Sequence, residues 1–176
     1  MSNSSAPLRP NKIVHRGIFL VLLLCLLQAP YGAPAQKADK VLVIKSEKRL
    51  YLMKEGKQIA SYRATFGGNP VGHKERQGDQ RTPEGHYVLD YKNRNSKFYK
   101  SIHISYPNAQ DRREARRRGV DPGGDIMIHG QANGWGWAGP VMQFFSWTDG
   151  CVALSDRDMD EVWEAVNAGT PIEIRP

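Results

Sequence analysis

The sequence predicts a mainly β domain with two short helices, built as a β-sandwich or a partly closed barrel. Three observations predict it. Short apolar or alternating runs recur from Lys40 to the C-terminus, the pattern of strands. Two stretches, Arg112–Gly119 and Ser155–Val166, carry helix punctuation or helical spacing. The segments between them are rich in Gly and Pro, which interrupt regular structure.

Lys40 to Phe66 reads as a β-meander. "KVLVIK" is an apolar strand, "RLYLMK" alternates, and "QIASYRATF" follows a turn at Glu55-Gly56. Gly67 to Gly85 holds too many Gly and Pro residues for regular structure and forms a long loop, of the kind that is functional in compact domains. "HYVLDYK" and "KSIHISYP" are two further strands. "RREARRRG" is a short polar helix that stops at Gly119 and presents a solvated face. Asp121–Asp125 turns the chain into "IMIHG", a short apolar strand that ends at His129-Gly130. The Gly- and Trp-rich loop "QANGWGWAGP" follows. Ser155 caps the second helix with Asp158 three residues on, and Met159, Val162, Trp163 and Val166 give it one apolar face. Asn167–Gly169 ends that helix and "TPIEIRP" is the last strand.

The first 35 residues read as a secretory signal peptide. Arg9, Lys12 and Arg16 precede an unbroken apolar run, Ile18–Leu27, and "APA" supplies a cleavage pattern after Ala35. The apolar run is about half the ~20 residues needed to span a bilayer. The expected location is the periplasm or cell envelope, with membrane attachment only if the signal stays uncleaved. Leu24 before Cys25 argues against lipid attachment at that cysteine. Residues 36–176 then form one domain, large enough for a real core.

The formal charge is +7, and three of the basic residues leave with the signal. The remaining bias suits an anionic substrate or surface but gives no ground for nucleic-acid binding, which export also opposes. Of the two cysteines, Cys25 and Cys151, cleavage removes the first. A lone thiol in an oxidising compartment is either a buried filler or a reactive group. Cys151 follows Gly150 and lies shortly before a helix start, a position that lowers a thiol's pKa. His129, at a strand end, is the candidate base, and Cys plus His is the minimal activated nucleophile for acyl transfer. His86 and His103 lie in strands as structural residues, although His103 would line a cleft if its strand neighbours that of His129. A zinc site would need three or four convergent ligands, and the scattered His residues do not supply them.

"IHG" at 128–130, a spacer of 17 residues and "TDGCVAL" at 148–154 together resemble the signature of the L,D-transpeptidase catalytic domain, the YkuD-type family. "GDQRTPEGHY" (Gly78–Tyr87) resembles that family's Thr-Pro-x-Gly-aromatic element. The resemblance covers roughly residues 38–175 and is nearest to the YafK-like subgroup. It implies that Cys151 attacks a peptidoglycan stem peptide at the carbonyl before its terminal D-alanine and forms a thioester. His129 would move the proton, the Gly130 carbonyl would orient the imidazole, and backbone N–H groups at Gly150 and Cys151 would form the oxyanion hole. No cofactor or metal is implied. The acceptor would be an amine of another stem peptide or of a peptidoglycan-linked lipoprotein. With water as acceptor, the same fold would be a hydrolase, either an L,D-carboxypeptidase or an amidase that releases lipoprotein.

Thr148, Trp135, Trp137 and Arg81 are the candidate substrate-binding residues. Trp135 and Trp137 would form a lid over the stem peptide or a hydrophobic plug on the core. Thr148 would meet the substrate or shape the turn, and Arg81 would serve the substrate or pair with Asp79. Two departures from the family pattern stand next to the nucleophile: Asp149 where a histidine is common, and Ala153 where an arginine is common.

Overall fold

The computed structural model describes residues 36–176. The segment read as a signal, residues 1–35, lies outside the described residues. Eight strands form one mixed sheet in the order β3-β2-β1-β8-β4-β5-β6-β7. β1 (Lys40–Ile44), β2 (Arg49–Lys54) and β3 (Lys57–Arg63) are the antiparallel meander expected from the sequence. β8 (Thr170–Arg175) lies parallel to β1 on one side and antiparallel to β4 (Gly85–Asn93) on the other. β5 (Ser101–Ile104) joins β4 to the short β6 (Met127–His129), and β6 pairs in parallel with β7 (Val152–Ala153).

The two edges of the sheet meet. Just beyond β3, Thr65 exchanges both backbone hydrogen bonds with Ala153 of β7, at 3.0 and 2.9 Å. The sheet therefore curls into the partly closed barrel, and the alternative of two separate sandwich layers drops out. Closure satisfies edge groups that would otherwise stay open for pairing. Gly67 continues this seam. A Cβ there would stand 2.0 Å from the Gln80 carbonyl oxygen, so only a glycine lets the long loop 67–85 close over the end of the barrel.

Alternation decides what is buried. Val41, Val43, Leu50, Leu52, Ile172 and Ile174 point inward from β1, β2 and β8. The helix α3 (Asp156–Ala165) lays Met159, Val162, Trp163 and Ala165 on the same core, each such large apolar side chain contributing about 1.5–3 kcal/mol on full burial. Ser155 caps α3 by accepting the Asp158 N–H at 3.1 Å. α1 (Ala109–Arg118) is the arginine-rich helix. It begins earlier than the basic run suggests, because Asn108 and Asp111 form a reciprocal capping box, and it ends at Gly119 in the left-handed region. Of its residues only Asp111 and Ala115 are buried.

Among the described residues there is one short helix more than expected. A one-turn helix, α2 (Gly139–Met142), follows a 3₁₀ turn at Gly136–Ala138. Four residues are too few to show helical periodicity, and the surrounding Gly and Trp residues read as loop.

Replacing Gly67 with alanine forces a backbone shift at the seam. The expected loss is about 2–3 kcal/mol in urea denaturation, and wild-type stability in this variant would contradict the described approach of Gln80.

Candidate active site

The site follows from the register of two very short strands. In the parallel pair β6–β7, Ile128 lies opposite Val152 and His129 opposite Ala153. Side chains alternate along each strand, so Ile128 and Val152 enter the core while His129 faces the other side. Cys151 falls next to Met127, one step before the pair, on the face that carries His129. The Met127 N–H donates to Cys151 Sγ at 3.4 Å, and the thiol lies 3.7 Å from the Asp125 carbonyl. These are its hydrogen-bond partners among the described residues, and His129 is not one of them.

His129 is 2% exposed. Its Nδ1 lies 2.6 Å from the Gly130 carbonyl oxygen. A carbonyl only accepts, so Nδ1 carries the proton and Nε2 keeps its lone pair. Phe98 lies over the imidazole with ring centroids 4.2 Å apart, and Trp147 meets it edge-on at 5.9 Å. Burial under these rings pushes the histidine's pKa down, and the Gly130 carbonyl opposes the shift only in part. Gly130 is itself confined, since a Cβ there would come within 2.6 Å of Asp156 Oδ1 and 2.9 Å of Tyr99.

Cys151 does not stand at a helix N-terminus. The apolar residues after it form β7, and α3 begins only at Asp156. The expected depression of the thiol pKa by a helix end is therefore missing. Burial pushes the Cys151 pKa up. The Met127 N–H and Lys74 work against that shift, and Asp149 and Asp125 add to it. Both shifts favour the neutral thiol and the neutral imidazole.

Gly150 adopts φ +127°, and a Cβ there would stand 2.6 Å from the Arg81 carbonyl oxygen. Both facts require glycine. Its N–H donates to Thr148 Oγ1 at 3.2 Å, and Thr148 Oγ1 donates to the Cys151 carbonyl at 2.7 Å. Thr148 is thus spent on the turn that presents the cysteine, and the Gly150 N–H is spent on Thr148. The Cys151 N–H has no acceptor among the described residues. Of the two N–H groups expected to form an oxyanion hole, that of Cys151 is open and that of Gly150 is engaged.

Trp135 and Trp137 stack on each other at 5.8 Å and are 58% and 77% exposed, so the core-plug alternative falls. Val141, Phe144 and Phe145 of the same stretch are exposed as well, whereas Gln143 is buried with both side-chain amide atoms unpaired. Arg81 meets the site through its backbone at Gly150, and its guanidinium faces a separate cleft lined also by Glu75 and Arg118. Arg81 does not pair with Asp79 through its side chain; its N–H donates to Asp79 Oδ1 at 3.0 Å. A cleft of about 570 Å³ lies next to the nucleophile, lined by Lys74, Gln77, Asp121, Gly124, Asp125 and Asp149. Ala153 is fully buried between His129 and Thr65, which leaves no room there for an arginine.

The strand of His103 does neighbour that of His129, but the His103 ring is held 2.6 Å from Asp90 and stacked on Tyr91. His73 ties the long loop to α1 through Asp111 at 3.3 Å. Sequence reading missed Phe98, Trp147 and Lys74 at the site. Trp147 sits beside the nucleophile motif, which is a usable signal; Phe98 and Lys74 come from remote loops and carry none.

Residues 38–174 match the model of the YkuD family, the L,D-transpeptidase catalytic domain. YafK of Escherichia coli (strain K12), whose name provisionally assigns it L,D-transpeptidase activity, is 31% identical over 132 residues, 72% of this chain and 46% of YafK. The chain thus spans about half the length of that curated relative. Among solved structures, the K307A mutant of the helical cell shape determining protein Pgp2 from Campylobacter jejuni aligns with TM-score 0.60 and 25% identity, covering 81% of this chain and 48% of Pgp2. An L,D-transpeptidase from Xylanimonas cellulosilytica shares the fold, with TM-score 0.54 and 15% identity over 82% of this chain and 62% of that one. The match to the family model over nearly all of the described residues settles the assignment: the chain belongs to the L,D-transpeptidase catalytic domain family.

Proposed function

We infer that this protein is an exported cysteine acyltransferase that cuts and rejoins peptidoglycan stem peptides through a thioester on Cys151. The observation that carries the reading is the placement of Cys151 and His129 on one face of adjacent parallel strands, with the imidazole tautomer set by the Gly130 carbonyl. Family membership supports a peptidoglycan substrate. Residues 1–35 would direct the domain to the periplasm or cell envelope. Its work there would be wall remodelling of the kind that bears on cell shape.

The resting state is neutral, so the proton moves with the chemistry. Cys151 leaves its contacts with Met127 and Asp125 and passes its proton to His129 Nε2 as Sγ bonds to the substrate carbonyl carbon. The Cys151 N–H stabilises the developing oxyanion. The carbon–nitrogen bond then breaks, and the imidazolium protonates the departing amine. An acceptor amine from a second stem peptide, or from a peptidoglycan-linked lipoprotein, attacks the thioester and returns the thiol. Water in that place gives hydrolysis.

Purified muropeptides analysed by mass spectrometry separate the outcomes: joined stems from a transferase, added water from a hydrolase, unchanged peptides from a binding module. Cys151→Ala removes the nucleophile at little cost in volume and should leave no turnover, with circular dichroism as the check on folding. His129→Gln is expected to lower the rate about 10²–10⁴-fold, the range of acid–base assistance; an undiminished rate would remove His129 from the role.

The pH dependence follows from burial. His129 must be unprotonated to accept the thiol proton, and its pKa lies below the ~6.5 of an ordinary histidine. Activity should therefore hold at pH 6.5 and decline only in more acidic solution. Alkylation of Cys151 by iodoacetamide in the free protein should show its midpoint above the ~8.5 of a free thiol. A midpoint below that value would mean that the pair rests as thiolate and imidazolium.

A further inference from the structure

A second cleft, of about 450 Å³, is lined by Arg76, Arg81 and Arg118. Its own carboxylates do not balance them. Asp79 lines the cleft, but both its oxygens are engaged elsewhere. Oδ1 accepts from Lys74 Nζ at 2.8 Å and from the Arg81 N–H at 3.0 Å, and Oδ2 accepts from the Glu75 and Arg76 N–H groups at 2.8 and 3.0 Å. Burial alone would raise the Asp79 carboxyl; Lys74 and the three backbone donors outweigh it and hold its pKa at about 2. Asp79 therefore stays ionised, and its charge is matched by the buried Lys74.

Glu75 is the remaining acid. It lies 2.7 Å from Arg118 and 3.8 Å from Arg81. One carboxylate thus serves two guanidinium groups, and Arg76 makes no ion pair among the described residues. Two positive charges remain uncompensated, and Arg81 Nε is buried without an acceptor. A guanidinium presents a planar fork that matches a carboxylate in two parallel hydrogen bonds.

The cleft borders the one beside Cys151. The Arg81 carbonyl presses on Gly150, and Gly78 lines both this cleft and the one that holds Asp125 and Asp149. A peptide that runs from the cleft beside Cys151 past Gly78 enters a pocket with surplus positive charge.

We propose that the Arg76–Arg81–Arg118 cleft is a carboxylate-binding subsite for the acyl-donor peptide. The proposal rests on the stem-peptide reading given above. A carboxylate could come from the C-terminus of the departing residue or from a side chain on the acyl side of the scissile bond. Asp79 is a positioning residue: it fixes the loop from which Arg76 and Arg81 project.

Calorimetry on the full chain carrying Cys151→Ala tests this without turnover. The probes are a stem tetrapeptide with a side-chain carboxylate on its third residue, the same peptide amidated at that side chain, and the same peptide amidated at its C-terminus. One amide is expected to bind about tenfold or more weakly than the acid, the scale of a charge-assisted hydrogen bond, and it identifies which carboxylate is read. Adding Arg76→Gln and Arg118→Gln should weaken the acid to the level of that amide and erase the difference. Both arginines are exposed, and circular dichroism verifies the fold. Equal affinity for all three peptides, or a preference for the acid that survives the double substitution, overturns the subsite and leaves the function standing. If none of the three binds the parent protein, the stem-peptide reading fails, and the subsite with it.

Discussion

The parallel pairing of Met127–His129 with Val152–Ala153 is the constraint on which the site depends. It is a minimal ladder, yet it places Cys151 and His129 on one face of the sheet. It cannot stand alone, because strands this short hold few hydrogen bonds. Support comes from both sides. β5 pairs with β6, and Thr65 closes the barrel onto Ala153. Leu154 continues the link, donating its N–H to the His129 carbonyl at 2.8 Å. The residues that make the barrel closed are thus the ones that hold the two chemical groups in register.

Burial sets the electrostatics of the pair. A half-buried thiol and a buried imidazole both lean toward their neutral forms, because burial weakens the solvation of either charge. Phe98 and Trp147 supply the cover on the histidine, while the thiol rests against the Met127 N–H and the Asp125 carbonyl. A neutral thiol also resists oxidation, since the thiolate is the form that oxidises readily.

The long loop 67–85 contributes to both ends of the cleft system. Gly67 anchors it at the barrel seam, Asp79 organises its middle through four donors, and Arg81 reaches Gly150 through its carbonyl. Lys74 from the same loop adds a positive charge near the thiol. Such a loop has no regular hydrogen-bond ladder, so a buried carboxylate takes over that office. The charged groups around the nucleophile are therefore fixed by local loop chemistry as much as by the sheet.

Much of this was legible in the residues themselves. Apolar alternation in β1, β2 and β8 and the capped, one-sided α3 follow from periodicity, which is a local property. His129, Gly130, Gly150 and Cys151 were singled out by residue type and spacing, because a small set of side chains can perform acyl transfer. Three things were decided only in the folded chain. Cys151 precedes a strand rather than a helix, since whether "VAL" pairs with β6 depends on a partner more than twenty residues away. The Gly150 N–H is consumed by Thr148, a matter of turn geometry that spacing does not express. Phe98 and Trp147 reach His129 from separate loops, and Arg76, Arg81 and Arg118 meet across a loop and a helix end. Sequence patterns report the periodicity and chemistry of neighbours along the chain. Burial, pKa and convergence depend on contacts between distant segments, and those exist only after the barrel has closed.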